Sequence, residues 1–433
     1  MSEKITVIGA GLAGCEAAHK LSSLGFSVRL CEMKPEKYSP AHKSENFGEL
    51  VCSNSLKAMR LNSAGGLLKE EMRMLGSLTM EAAAETSVAA GGALAVDREL
   101  FSQYITEKIK SDPNIEVVYG EVTEVPEDGI VIFATGPLTS DTLAENLKER
   151  FGGTLSFYDA VAPIVSADSL DWEKVFLGAR YDRGEADYVN CPMERDEYDA
   201  FYDALINAER APLHDFDVAD PKVYEGCMPV EIMAGRGHDT LRYGPLRPVG
   251  LTDPRTGRRP WANVQLRREN AEGTMYNLVG FQTNLKFSEQ KRVFSMIPGL
   301  ENAEFLRYGV MHRDTFMDSP RLLDKNLSLK AEPRLFFAGQ FTGVEGYTES
   351  AATGIMAGIN AARFAKGEEP LVLPNLTMLG ALINYITDES VENFQPMGAN
   401  MGLLPALETR IRHKDERYQA VAERAVAALE AIL

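Results

Sequence analysis

Three groups of residues have side chains and neighbours suited to chemistry. Cys52 stands in the polar run Glu49-Leu50-Val51-Cys52-Ser53-Asn54-Ser55, and Cys227 stands in Tyr224-Glu225-Gly226-Cys227-Met228-Pro229, between a glycine and a proline. Accessible loops and nearby cations favour a thiolate, the form of cysteine that attacks an electrophile. Most free cysteines are inert packing residues, and that is the reading for Cys15 and Cys31. The second group is a run of eight arginines between Arg236 and Arg268, set against two acids, Asp239 and Asp253. Arginine's planar fork matches phosphate oxygens; the plainer alternative is a solvated surface with internal ion pairs. The third is Glu32, 18 residues after Gly14, where a carboxylate can accept hydrogen bonds from ribose hydroxyls.

These groups need elements to hold them. Lys4-Ile5-Thr6-Val7-Ile8 reads as a buried strand running into Gly9-Ala10-Gly11-Leu12-Ala13-Gly14, followed by a helical pattern to Leu24, a stop at Gly25 and a second strand from Phe26 to Cys31. In such a strand–turn–helix the first glycine allows the tight turn, the second lets the backbone approach a pyrophosphate, and the third lets helix and strand pack. The phosphates then meet free N–H groups at the helix N-terminus. Two later segments point to FAD rather than NAD. Ile130 to Ala134 is an apolar strand closing in Ala134-Thr135-Gly136-Pro137. Leu335 to Ala338 is another strand, entering Gly339-Gln340-Phe341-Thr342-Gly343-Val344-Glu345-Gly346 ahead of a small-residue helix from Ser350 to Ala365. That second glycine-rich loop can meet the flavin end of an extended cofactor. Ser111 closes a helix opened by Asp97 as N-cap, and Ile115 to Tyr119 reads as a strand.

From about Tyr158 the pattern changes to short strands with one acidic helix, Glu194 to Glu209. The expected architecture is α/β: a Rossmann-like FAD-binding domain over residues 1–157 and 305–433, with an inserted α+β domain over 158–304 that carries the arginine run. The 433 residues are 45% hydrophobic and 25% charged, ordinary for a globular enzyme. No cleavable leader is visible, and the uncharged run from Leu371 to Thr387 falls short of the ~20 apolar residues of a membrane span, so a cytoplasmic location without membrane contact is expected. Neither the five cysteines nor the six histidines show metal-ligand spacing. The net charge of −18 speaks against nucleic acid as a partner, but the arginine run is a strong local departure from it.

Four stretches carry a resemblance over essentially the whole length: residues 9–14 (GAGLAG), 49–57 (ELVCSNSLK), 224–242 (YEGCMPVEIMAGRGHDTLR) and 339–354 (GQFTGVEGYTESAATG). Together with Phe394 to Asn400 they resemble the folate- and FAD-dependent tRNA (uracil-5-)-methyltransferases, flavoprotein cousins of the GidA-like tRNA-modifying enzymes. The resemblance implies methyl transfer to C5 of a T-loop uridine (uridine 54) of tRNA, with carbon from 5,10-methylenetetrahydrofolate and reducing equivalents from NADPH or NADH through FAD. It implies no obligatory protein partner. On this reading Cys227 is the candidate nucleophile that adds to uracil C6, and Cys52, near the flavin, is a candidate base or second thiol. The cofactor would be held by Gly9, Ala10, Gly11, Leu12, Ala13, Gly14, Glu32, Ala134, Thr135, Gly136, Gly339, Gln340 and Gly346. Arg236, Arg242, Arg247, Arg258, Arg259, Arg267 and Arg268 are the candidate phosphate contacts. The rival readings are wobble-uridine modification, methylation of a ribosomal RNA uridine, an FAD oxidoreductase of a small molecule, and a non-catalytic RNA-binding flavoprotein.

Overall fold

The computed structural model describes residues 4–152, 154–160, 162–182, 187–211, 228–270, 272–309, 311–391 and 394–433. The first strand forms at Ile5–Ile8, inside a six-stranded sheet. Across that sheet the order is Ser328–Leu329, Glu332–Phe337, Val131–Phe133, Ile5–Ile8, Val28–Glu32 and Ile115–Tyr119. The last five are parallel to one another, and Ser328–Leu329 is an antiparallel edge. A parallel sheet must be covered on both faces, and accordingly Ile5, Val7, Leu30, Ile132 and Phe336 are buried. From Ile5–Ile8 the chain builds first to one side, through Val28–Glu32 and Ile115–Tyr119, and then crosses to Val131–Phe133 on the other side. That change of side opens a crevice at the carboxyl ends of the strands, the place where such sheets bind ligands.

Helices Leu12–Ser23 and Tyr347–Lys366 start at this crevice and touch along their backbones. A Cβ on Gly354 would stand 2.2 Å from the Ala13 carbonyl oxygen, so only glycine permits the crossing. Two buried carboxylates fix other helices. Glu16 accepts the Leu78 and Thr79 N–H groups at the start of Leu78–Glu85. Glu71 does the same for Met378 and Leu379 at 2.6 and 2.8 Å, capping Met378–Ile386. That helix lies within the uncharged run noted in the sequence. Among the described residues no helix is long and apolar enough to cross a membrane. Asp97 accepts from the Glu99 and Leu100 N–H groups, capping Arg98–Ser111 as its position suggested.

A second six-stranded sheet is antiparallel throughout, in the order Phe176–Leu177, Tyr188–Met193, Ala262–Arg268, Met275–Leu278, Ile164–Ser166 and Phe305–Arg307. Helix Arg195–Ile206 buries Tyr198, Phe201 and Leu205, a spacing that lays one helical face on the sheet. Its own core gathers Val189, Val264, Leu266 and Phe294, apart from the core of the first sheet. The chain passes between the two sheets through the antiparallel pair Thr154–Ala160 and Met311–Met317. Phe305–Arg307 pairs with Ile164–Ser166, so the last strand of the second sheet lies beyond 304, where the sequence suggested a boundary.

Candidate active site

A cleft of about 1120 Å³, counting the part open to solvent, lies at the carboxyl ends of the parallel strands. Gly9, Ala10, Gly11, Leu12 and Ala13 form one wall, with Glu32 beside them. Ala134, Thr135 and Gly136 form another wall, and Gly339 and Gln340 close the far side. The three loops are stitched to the sheet: Gly9 N–H donates to Cys31 O, Ala134 N–H to Ile8 O, and Ala338 N–H to Phe133 O, at 2.8–2.9 Å.

Each glycine of the first turn has a separate reason. Gly9 has φ +98°, and a Cβ there would stand 2.6 Å from Ala134 O. A Cβ on Gly14 would fall 1.8 Å from Gly9 O. Gly11 faces open space, with nothing within 4 Å of a Cβ; it is the point of closest possible approach for a ligand. Gly14 therefore shapes the turn without lining the cleft. Gly346 likewise is absent from the walls. It precedes helix Tyr347–Lys366 at φ +124°, where a Cβ would strike the Glu349 carboxylate at 2.3 Å.

Glu32 ends its strand facing the cleft, with Oε2 accepting from Ala10 N–H at 2.7 Å and Oε1 from Lys34 N–H at 2.9 Å. Those bonds fix the carboxylate while its remaining lone pairs face the cleft. Two helix N-termini with free N–H groups, a fixed carboxylate and an open glycine between them suit an extended dinucleotide with a pyrophosphate in its middle. FAD fits these residues. Glu32 would hold its ribose, the turn at 9–14 its phosphates, and the loop at 339–346 its flavin end.

Cys52 borders this cleft, since its neighbours Glu49 and Val51 and the nearby Tyr347 are wall residues. The Tyr347 hydroxyl accepts from the Cys52 N–H at 2.6 Å and the Ser53 N–H at 3.3 Å. Burial, followed by the proximity of Cys52, pushes the Tyr347 phenol well above its ordinary range. The loop is gripped from the second sheet as well. Arg267 donates from Nη2 to Ser53 Oγ at 2.6 Å and from Nε to Asn54 Oδ1 at 2.9 Å. Asn54 Nδ2 donates in turn to Arg268 O at 2.7 Å. Arg98 donates from Nη2 to Glu269 at 2.8 Å and also to Leu50 O. Arg307 adds a half-buried guanidinium whose electrostatic neighbours include Arg98, Tyr347 and Cys52. Burial, reinforced by the charge of Arg98, holds Arg307 below its ordinary range. Among the described residues the carboxylate set against these three guanidinium groups is Glu269. The surroundings of Cys52 are therefore positively charged. On the cleft wall, burial together with the charge of Lys34 brings His42 down to about 4.

Cys227 lies outside the described residues. The arginine run does not form one surface. Arg236, Arg247, Arg258 and Arg259 are exposed. Arg242 instead packs over the Trp261 ring at 3.7 Å, donates to Trp261 O and pairs with Asp239 at 2.8 Å. Arg267 is only 7% exposed and spends its guanidinium on the Cys52 loop. Arg268 is half-buried, with a buried Nε that has no hydrogen-bond partner among the described residues. Arg242 and Arg267 thus depart from the phosphate-contact expectation, because their forks already bind groups within the chain. Sequence reasoning missed Tyr347 and Arg98, whose partners lie far along the chain. Among the described residues no cluster of side chains could hold a metal ion.

The class follows from fold and cleft together. Residues 4–369 match the family described as Glucose inhibited division protein A. The solved structure of Aquifex aeolicus GidA in its form II crystal shares the fold, with a TM-score of 0.70 at 17% identity, over 99% of this chain and 73% of that one. Much nearer relatives narrow the assignment. The protein of Desulforamulus reducens named methylenetetrahydrofolate--tRNA-(uracil-5-)-methyltransferase TrmFO is 60% identical over 428 residues, covering 99% of this chain and 97% of its own. The protein of the same name from Ligilactobacillus salivarius is 58% identical over 427 residues, 98% and 97% of the two chains. This chain belongs to the methylenetetrahydrofolate–tRNA-(uracil-5-)-methyltransferase family within the GidA class.

Proposed function

We propose that this protein methylates C5 of uridine 54 in the T loop of tRNA, taking one carbon from 5,10-methylenetetrahydrofolate and reducing power from NAD(P)H. The observation that carries this reading is near-full-length identity of 58–60% to enzymes of that name. The cationic cysteine loop at the mouth of the dinucleotide cleft supports it. FAD, when bound, supplies hydride transfer. The chain's own residues supply the rest. Uracil C5 is a poor nucleophile until a thiolate bonds to C6, which moves the ring's electrons toward C5. Cys227 is the candidate for that bond. C5 then attacks the one-carbon unit; removal of the C5 proton expels the carrier nitrogen as the carbon–nitrogen bond breaks, leaving an exocyclic methylene. A hydride added to that methylene completes the methyl group as the C6–S bond breaks and the thiolate leaves. Cys52 is the candidate base, held by Tyr347 and its loop's clamp. The uridine must be turned out of its loop to reach this place. Arg236, Arg247, Arg258 and Arg259 are the candidate phosphate contacts, being exposed.

In the same reading the enzyme acts in the cytoplasm. It is divided into a cofactor unit (1–157 and 305–433) and an inserted RNA unit (158–304), with the strand at 305–307, past that boundary, paired into the sheet of the inserted unit. The test is an in vitro assay with purified flavoprotein, unmodified tRNA, NADPH and methylenetetrahydrofolate, without S-adenosylmethionine. Formation of 5-methyluridine, mapped to the T loop, is expected; absence of product, or product mapped to the wobble position, overturns the proposal.

A further inference from the structure

A line of aromatic rings climbs from the core of the second sheet to its surface. Phe294 is fully buried and lies 6.5 Å from Phe305. Phe305 stacks on Tyr308 at 5.3 Å with the planes 7° apart, and Tyr308 stacks on Phe287 at 4.8 Å and 15°. Phe287, the outermost ring, is 54% exposed. It opens helix Phe287–Phe294. On that helix Arg292 is paired with Glu289 and neighbouring Lys286 with Glu209. Lys291 is exposed and makes no ion pair among the described residues.

We infer that Phe287, backed by Tyr308 and Phe305, is a stacking platform for an unpaired nucleobase of the RNA substrate. Three features select that occupant. Aromatic pairs inside proteins mix edge-on and offset contacts, whereas these three rings lie nearly parallel and leave the last one more than half uncovered. Every base has a π-face that can extend such a stack. The exposed Lys291 on the same helix suits a phosphate, in a chain whose overall charge is −18. Position supports the same occupant. Tyr308 follows Arg307, whose electrostatic neighbours include Tyr347 and Cys52, so the inner part of the stack adjoins, along the chain, a residue that faces the cysteine loop. Recognition of RNA through splayed, unstacked bases is the usual route to loops.

The inference rests on the proposed RNA substrate and is tested apart from it. Affinity of the FAD-loaded protein for a T-arm hairpin RNA is measured across a salt series for wild type, Phe287→Ala, Phe287→Leu and Phe287→Trp. FAD content and oligomeric state are read on the same samples. Loss of the ring is expected to weaken binding by roughly 5- to 100-fold, with the slope of log affinity against log salt unchanged, because no phosphate contact is lost. Leu should behave like Ala, and Trp should restore binding. Ala binding within twofold of wild type, Leu binding like wild type, or a change of oligomeric state in place of affinity would each overturn the inference. Failure of the wild type to bind the hairpin strikes instead at the proposed substrate.

Discussion

Substitution at two glycines three residues apart should separate folding from cofactor binding. Gly11 has φ −73° and ψ −174°, a conformation open to alanine, and a Cβ there meets nothing within 4 Å. In the cofactor-free protein Gly11→Ala should therefore change stability by less than about 1 kcal/mol, and the reduced freedom of the unfolded chain acts in its favour. The added methyl projects where a pyrophosphate would meet the helix N-terminus. Displacing one charge-assisted hydrogen bond costs about 1.5–3 kcal/mol. That is a roughly 10- to 140-fold loss of FAD affinity. Gly14→Ala reverses the pattern, since its Cβ would lie 1.8 Å from Gly9 O, a backbone atom with nowhere to go. Overpacking of this kind costs about 1–3 kcal/mol or more, and it falls on the cofactor-free protein. The assays are calorimetric unfolding of the apoprotein and titration of that apoprotein with FAD. Retention of wild-type FAD affinity by Gly11→Ala, or of wild-type apoprotein stability by Gly14→Ala, would refute the division of labour drawn from the geometry.

Two further outcomes follow from buried polar contacts. Arg267→Ala removes two cationic hydrogen bonds from Ser53 and Asn54, each worth about 1.5–3 kcal/mol. Methylation turnover should fall by two orders of magnitude or so with FAD content preserved, and Arg267→Lys should recover little because one ammonium cannot reproduce the fork; full activity in the Lys variant would sink the clamp. Glu71 is raised by burial from 4.5 to about 7. The folded state thus binds a proton more tightly than the unfolded chain, and the associated stability is full below about pH 4.5 and is lost as pH rises through about 7. That amounts to up to about 3 kcal/mol. Glu71→Gln should remove this part of the pH dependence while its amide oxygen keeps one of the two bonds, to Met378 or to Leu379; an identical pH–stability curve in the variant would contradict it.

What was legible in the sequence was local. The turn at 9–14, the fixed carboxylate at Glu32 and the loops at 134–136 and 339–340 reveal themselves because glycine spacing and strand–helix order lie within a few dozen residues. Helix starts such as Asp97 are legible for the same reason. The long-range choices were not. Whether an arginine faces solvent or a neighbour depends on where the chain returns, and Arg267 meets Asn54 across 213 positions. Composition alone put Arg242 and Arg267 in the same class as Arg258 and Arg259, although the first pair is internal and the second is exposed. Tyr347 lies inside a recognisable motif, yet its hydroxyl partner is the Cys52 backbone 295 positions away. Glu16 and Glu71 look like ordinary helical surface acids until the helices they cap are folded against them.

The grip of Arg267 on Ser53 and Asn54 also governs how pieces of such enzymes can be exchanged. The glycine turn at 9–14 is fastened to elements of its own sheet and helices, at Cys31, Glu32, Ala134 and Gly354, and can be exchanged between relatives together with them. The cysteine loop cannot, because half of its fastening is encoded in strand Ala262–Arg268 of the other sheet. A chimera that joins one relative's first sheet to another's second must carry positions 53, 54 and 267 as a matched set, or it will assemble two sound halves around an untethered cysteine.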